Sequence, residues 1–147
     1  MDEVEQETGG ARLRVIHAAD RVPDAASGAM RREAAISHSL VGAGRLWMGY
    51  VELAPGAVSA VHHHGESESA IYVISGSARF WSGDALEGAY DARAGDFVWV
   101  PPHHVHVEAN RSTIDPVCMV VARSTQEAIV VNLATPDGWL PEFGTLF

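Results

Sequence analysis

The sequence of 147 residues has few cysteines and no long apolar run. A single cysteine, Cys118, excludes an intramolecular disulfide, and its apolar surroundings in PVCMVVA predict a buried small hydrophobic residue. No stretch approaches the roughly 18 consecutive apolar residues that a membrane span needs. The first ten residues, MDEVEQETGG, are acidic and are not typical of a secretory signal. A cytoplasmic protein is therefore the default expectation.

Positive charge is also scarce. Ten lysines and arginines stand against 19 aspartates and glutamates, which gives a formal net charge of −9. Proteins that bind nucleic acid usually present a basic surface to the phosphates. Anionic membranes likewise attract clusters of basic residues. We therefore expect neither a nucleic-acid partner nor a membrane partner.

Short runs of β-branched and aromatic residues begin at Leu46 and are separated by turn residues. The runs are LWMGYVEL, AIYVISG, ARFWSG, DFVWVP, VHVEA, VCMVVA and AIVVNL. This spacing predicts an all-β single domain, an antiparallel sandwich or barrel, with its barrel at residues 46–134. Residues 1–45 are interpreted as a tail with edge strands, one of them near Leu13–His17. Residues 135–147 are apolar and are expected to pack on the barrel or on a partner subunit.

Six of the eight histidines form two clusters, His62–His64 and His103, His104 and His106. Residues two apart in a strand point to the same face. His62 and His64 are therefore expected to point inward together, and His104, His106 and Glu108 would share a face if their segment is extended. Imidazole is the commonest protein ligand for zinc-like and iron-like metals. The two clusters therefore predict one divalent metal ion, held between neighbouring strands.

Glycine and proline residues also flank each histidine cluster at set positions. GAVSAVHHHGESESAIYVISG, from Gly56 to Gly76, resembles the first cupin motif, and GDFVWVPPHHVHVEAN, from Gly95 to Asn110, resembles the second. The resemblance covers roughly residues 46–133. It implies a cupin double-stranded β-helix, or jelly-roll barrel. It also implies four metal ligands, namely His62, His64, Glu68 and His106.

Two positions depart from the family pattern. Seven residues separate Glu68 from Gly76, where six are usual, and Ser69 occupies the usual place of the glutamate. A slip of one residue turns a strand side chain to the other face, so Glu68 is a ligand only if a bulge or loop absorbs the offset. The other departure is His103, which stands where the family often has glycine and needs no ligand role.

Further candidates surround the expected metal. His104 is a candidate for supporting His106 or for acid–base catalysis, and Tyr72, which shares strand parity with Glu68, is a second catalytic candidate facing the cavity. Arginines could anchor an acidic substrate, although surface placement is the favoured interpretation. These arginines are Arg79, Arg93 and Arg123.

Three classes of function remain open. The first is a metal-dependent enzyme acting on a small organic substrate, either a dioxygenase or a Lewis-acid isomerase, cyclase or decarboxylase. The resemblance to small single-domain cupins adds a zinc-dependent aromatic polyketide cyclase to this class. The second is a non-catalytic module that binds a sugar or small metabolite, and the third, a storage role, is disfavoured for so short a chain. Iron, zinc, manganese and nickel all suit the ligands. The apolar C-terminal segment and the family habit of pairing barrels predict a homodimer.

Overall fold

The computed structural model describes residues 11–24 and 30–142. The acidic tail at residues 1–10 and the end of the C-terminal segment, residues 143–147, lie outside the described residues. The strands are β1 (Val22–Asp24), β2 (Met30–Ile36), β3 (Trp47–Leu53), β4 (His62–His63), β5 (Ser69–Ser75), β6 (Ser77–Ser82), β7 (Gly88–Arg93), β8 (Phe97–Val100), β9 (His106–Asn110), β10 (Val117–Arg123) and β11 (Val131–Asn132). Two short helices, a 3-10 turn at Ala18–Asp20 and α1 at His38–Val41, precede β3.

The strands form two antiparallel sheets that face each other. The first has the order β1-β2-β3-β10-β5-β8 and the second the order β11-β4-β9-β6-β7. Apolar side chains alternate along β3, where Trp47, Val51 and Leu53 are buried. Val51 and Leu53 belong to one core cluster with Met119 of β10 and Phe80 of β6. The predicted all-β barrel is confirmed. Burial of alternate positions is expected for strands that turn one face toward the core.

The prediction of a strand near Leu13–His17 is wrong. Residues 11–17 form no strand, and Leu13 and Val15 are largely exposed. β1 instead begins at Val22 and pairs with β2, which extends the six-stranded sheet before residue 46. Cys118 is half-buried rather than buried, because the inward positions of β10 belong to its neighbours Val117 and Met119.

The chain crosses from one sheet to the other at Gly76, the single residue between β5 and β6. Its φ of +83° lies in the left-handed region, which glycine adopts without steric cost. A Cβ atom here would lie 2.6 Å from the carbonyl oxygen of Pro116 and 3.0 Å from the Cα of Val117. Gly76 therefore fixes both the corner and the close approach of the segment before β10.

Asn110 ends β9 and fixes the loop that follows it. Its side chain is fully buried, and its amide donates to the carbonyl oxygens of Leu53 and Asp115 at 3.1 and 2.7 Å. Its side-chain oxygen accepts from the backbone N–H of Ser112 at 3.0 Å. Satisfying a buried amide in this way ties β9 to β3.

The described end of the chain returns to the barrel. β11 pairs with β4, and the ring of Trp139 contacts that of Trp81 edge-on, with centroids 5.5 Å apart. In the described part of the chain, no helix has the length and apolar character that crossing a bilayer requires.

Candidate metal centre

Three histidines meet inside the barrel. His62 lies on β4, His64 follows that strand, and His106 begins β9, directly opposite His62 in the antiparallel register. One nitrogen from each ring lies within 4.8 Å of the others. The ring centroids are 4.3 Å apart for His62 and His106, and 5.1 Å apart for His64 and His106. Pairing of β4 with β9 thus brings together two clusters that are far apart in sequence.

Backbone carbonyls orient all three rings. The Nδ1–H of His62 donates to the carbonyl oxygen of Ala60 at 2.7 Å, that of His64 to Ile129 at 2.8 Å, and that of His106 to His104 at 2.8 Å. A carbonyl can only accept, so each Nδ1 carries the proton and each neutral ring keeps its Nε2 lone pair. Such support is typical of metal-ligating histidines. The donor set therefore fits a divalent ion with bonds of about 2.1 Å.

Burial keeps two of these rings neutral. It lowers the pKa of His64 to about 4, and the nearby His106 and His62 lower this pKa further. Burial also lowers the pKa of His106 to about 4, with His62 as the next cause. Both rings are therefore deprotonated at neutral pH, as metal binding requires.

The metal-free protein should lose stability as the pH falls from 7.5 to 5.5. An unfolded histidine takes up its proton near pH 6.5, whereas folded His64 and His106 resist protonation until about pH 4. The unfolded state therefore binds more protons in this window, which lowers the free energy of unfolding by about 1 kcal/mol for each histidine. Urea unfolding at several pH values in the presence of a chelator measures the slope of the unfolding free energy against pH. A His64→Gln variant should show a shallower slope, and a flat profile in the wild type would contradict the prediction.

The two other predicted side chains on this segment do not reach the centre. Glu68 is exposed and precedes β5, while Ser67 and Ser69 on either side of it are buried and line the cavity. The structure thus does not bring Glu68 to the three histidines, because the one-residue offset is not absorbed. Tyr72 lies four residues after Glu68 and points to the same outer face of the sheet. It is 38% exposed and contacts Phe97 on the outer face of the sheet, so the structure does not place it in the cavity.

A different carboxylate faces the cavity. Glu108 lies on β9 two residues after His106, is 7% exposed, and lines the same cavity as His64 and His106. It is not part of the group of ligand atoms within 4.8 Å of one another. The two-residue spacing from His106 indicated a shared face. Glu108 was nevertheless not predicted as a site residue, because the family pattern pointed to Glu68.

His104 supports the centre through its backbone. Its carbonyl oxygen accepts from Nδ1 of His106, while its own ring is hydrogen-bonded to the hydroxyl of Ser82. The ring lines a groove of about 530 Å³ between the edge strands β7 and β8, and His106 also lines this groove. His103 is exposed in the preceding turn with φ of +58°, which explains why glycine suits this position in relatives of this pattern.

The cavity behind the histidines is narrow and carries two arginines. About 30 Å³ is open to the centres of water-sized molecules, enough for roughly one or two waters. Arg32 and Arg123 line it. The favoured surface placement of Arg123 is wrong, because it occupies an inward position of β10 and is 8% exposed. Arg79 does pair with an acidic residue near the surface, Asp91, at 2.7 Å.

Comparisons with known proteins agree with this architecture. The sequence profile of the Cupin domain family matches residues 49–123. The polyketide cyclase RemF from Streptomyces resistomycificus has a similar structure, with a TM-score of 0.71, 19% identity, and coverage of 85% of this chain and 88% of that one. A conserved double-stranded β-helix protein from Klebsiella pneumoniae gives a TM-score of 0.64, 20% identity, and coverage of 84% and 100%.

Oxalate decarboxylase from Lactobacillus farciminis gives a TM-score of 0.67 and 22% identity over 80% of this chain, which spans 35% of that longer protein. No curated protein matches the sequence. At these identities the structural likeness concerns the fold.

Proposed function

This chain belongs to the Cupin domain family, and from that premise we propose that it is a metal-dependent enzyme acting on a small organic substrate. The observation that carries the proposal is the convergence of His62, His64 and His106, each with its Nδ1 proton bound to a backbone carbonyl. Three imidazoles presented in this way form a site prepared for a divalent ion. Zinc, iron, manganese and nickel are the candidate metals.

Three protein ligands favour a catalytic centre over a structural one. Structural zinc sites are closed by four protein ligands, whereas catalytic sites keep a position for water or substrate. Among the described residues the convergent group holds three ligands. A bound divalent ion would polarise a substrate oxygen or a water molecule at the free position, and iron would add O2 chemistry.

The chain's own residues would shape the space around the reacting atoms. Val51, Ile71 and Met119 form apolar walls of the cavity and exclude bulk water. Ser67 and Ser69 add hydroxyl groups to the lining, and Ser69 lies two residues before Ile71 on β5. Electrostatic interactions are stronger in such an enclosed site than in water, so few polar groups are needed to orient a small substrate.

Glu108 should strengthen metal binding, whereas Glu68 should not. A buried carboxylate beside a divalent ion lowers its free energy, and supporting groups of this kind are worth about 10- to 100-fold in metal affinity. We expect Glu108→Gln to weaken zinc affinity by about 10-fold, measured against a competing chelator. The matched variant is Glu68→Gln, which alters a carboxylate only four residues after His64. Because this carboxylate is exposed, the variant should change zinc affinity less than about twofold. Equal effects of both variants would contradict this assignment.

Metal analysis tests the proposed function directly. Protein purified without added metal should contain close to one equivalent of a transition metal per chain. Iron together with substrate-dependent O2 uptake supports a dioxygenase, and zinc with turnover in the absence of O2 supports a Lewis-acid isomerase, cyclase or decarboxylase. Protein that neither retains nor binds a transition metal would refute the proposal and would favour the metal-free binding module.

An aromatic polyketide cyclase is a second candidate, favoured by the groove that His104 and His106 help to line. Its volume of about 530 Å³ suits a polycyclic ligand, and Tyr90, Phe97 and Trp99 line it. Turnover of an aromatic polyketide precursor by the zinc form, lost in a Trp99→Ala variant, would support this candidate. Homodimer assembly and cytoplasmic location stay predictions of the sequence.

A further inference from the structure

Two neighbouring inward positions of the six-stranded sheet carry arginine. On β2 the inward side chains are Met30, Arg32 and Ala34, and on β10 the inward series ends at Arg123. β3 lies between these strands in the sheet order. Both arginines line the cavity that also contains His64. Inward arginines are rare in a barrel core, because burying a charge is costly unless a partner compensates it.

Arg123 is held rigidly. Its guanidinium carbon lies 3.9 Å from the ring centroid of Trp47, a cation–π contact. Its Nε–H donates to the carbonyl oxygen of Thr125 at 2.9 Å, and its Nη2 to that of Gln126 at 2.7 Å. These bonds use two of the five N–H groups and fix the plane of the guanidinium. The group is therefore preorganised to bind an acceptor with its remaining donors.

Arg32 retains a buried hydrogen-bond donor that is not used. Its Nε is buried and bonds no acceptor among the described residues, and its Nη2 donates to the weakly accepting sulfur of Met30, at 3.6 Å. Its guanidinium carbon also lies 6.0 Å from the ring centroid of Trp47. In the part of the chain that the structure describes, none of the ion pairs includes Arg32 or Arg123. A buried cationic donor without an acceptor keeps its full desolvation cost.

The charges lining the cavity do not balance. Arg32 and Arg123 are positive and Glu108 is the one carboxylate among the described lining residues. Burial, followed by the charge of Arg32, lowers the pKa of Arg123 to about 10, although Asp24 acts in the opposite direction. The lining is thus net positive at neutral pH even before a divalent ion is added, so an anionic ligand would be attracted.

We propose that this cavity binds a small organic carboxylate, with its carboxylate group between Arg32 and Arg123 and its other end toward His64. The two guanidinium planes match the paired oxygens of a carboxylate. The narrow cavity favours a ligand of a few heavy atoms over a polycyclic one. This inference deepens the proposed function, because it names the substrate class of the same centre.

Calorimetric titration with acetate, oxalate, malonate and benzoate tests the proposal, in both metal-free and zinc-loaded protein. At least one small carboxylate should bind wild type, and Arg32→Met should weaken it by at least about 10-fold, the loss expected when a charged hydrogen bond is removed. Arg31→Met is the matched control. Arg31 neighbours Arg32 on β2 but faces outward and pairs with Glu52, so its loss should change affinity less than about twofold.

A second measurement does not depend on a variant that folds. Binding of the same carboxylate to wild type should shift the NMR signal of the Arg32 Nε–H group, whose proton has no acceptor among the described residues. The proposal is overturned if no carboxylate binds, if inorganic phosphate binds and carboxylates do not, or if Arg31→Met weakens binding as much as Arg32→Met. Carboxylate binding that depends on Arg32 in protein without metal affinity would refute the proposed function and leave this inference standing.

Discussion

Replacing His106 with alanine is expected to weaken metal binding by at least about 100-fold, the largest effect we foresee for a single substitution. Removing a supporting group around a metal already costs about 10- to 100-fold, and His106 contributes a ligand nitrogen itself. Only two imidazoles would remain of the convergent three. Titration with zinc against a chelating dye measures the change.

His103→Ala is the control for this experiment. His103 belongs to the same histidine cluster in sequence, but it is exposed and does not belong to the convergent group. Its replacement should leave zinc affinity within about twofold of wild type, as for other exposed polar side chains. Unfolding curves recorded with a chelator would show that both variants fold. Wild-type affinity in a folded His106→Ala protein would contradict the metal centre described above.

Gly76→Ala is expected to lower the free energy of unfolding by about 3 kcal/mol or more. Holding an L-residue in the left-handed region costs roughly 1–2 kcal/mol. The new methyl group would also lie 2.6 Å from a backbone oxygen of Pro116, and relieving such overpacking typically costs a further 1–3 kcal/mol. The obstructing atoms are backbone, so rotation of a side chain cannot make room.

Gly56→Ala separates the cost of the left-handed backbone from the cost of the steric overlap. Gly56 has a similar φ of +74°, but a Cβ atom there would meet nothing within 4 Å. Its replacement should therefore cost about 1 kcal/mol, the backbone term alone. Denaturant midpoints of both variants, compared at equal m-values, give the difference. Equal losses would show that the close approach at Gly76 is relieved by a small shift of the chain before β10.

The sequence was sufficient for the barrel and for three metal-ligating candidates, because both are encoded locally. Short runs of β-branched and aromatic residues between turn residues identify the strands. The two-residue spacing of His62 and His64 sets their common direction whatever lies across the sheet. The meeting of His64 with His106 depends on pairing β4 with β9. Here the resemblance to two separated motifs supplied what periodicity alone could not.

The errors concern parity and register. The family pattern suggested Glu68, and Tyr72 was placed inward by counting from Glu68, but the inward series of β5 begins at Ser69. Arg32 and Arg123 line the cavity because β2, β3 and β10 pair in a particular register. No local pattern reveals such a register. An arginine in a strand is more often on the surface, so Arg123 was predicted to lie there.

The hydrogen bonds to Ala60, Ile129 and His104 come from main-chain oxygens, and every amino acid supplies such an oxygen. Aiming the imidazoles therefore does not depend on the identity of the side chains at these three positions. Homologues could exchange the surrounding side chains, and with them the molecules they accept, while the rings keep their aim. A scaffold of this kind can change its chemistry over evolutionary time without first losing its metal.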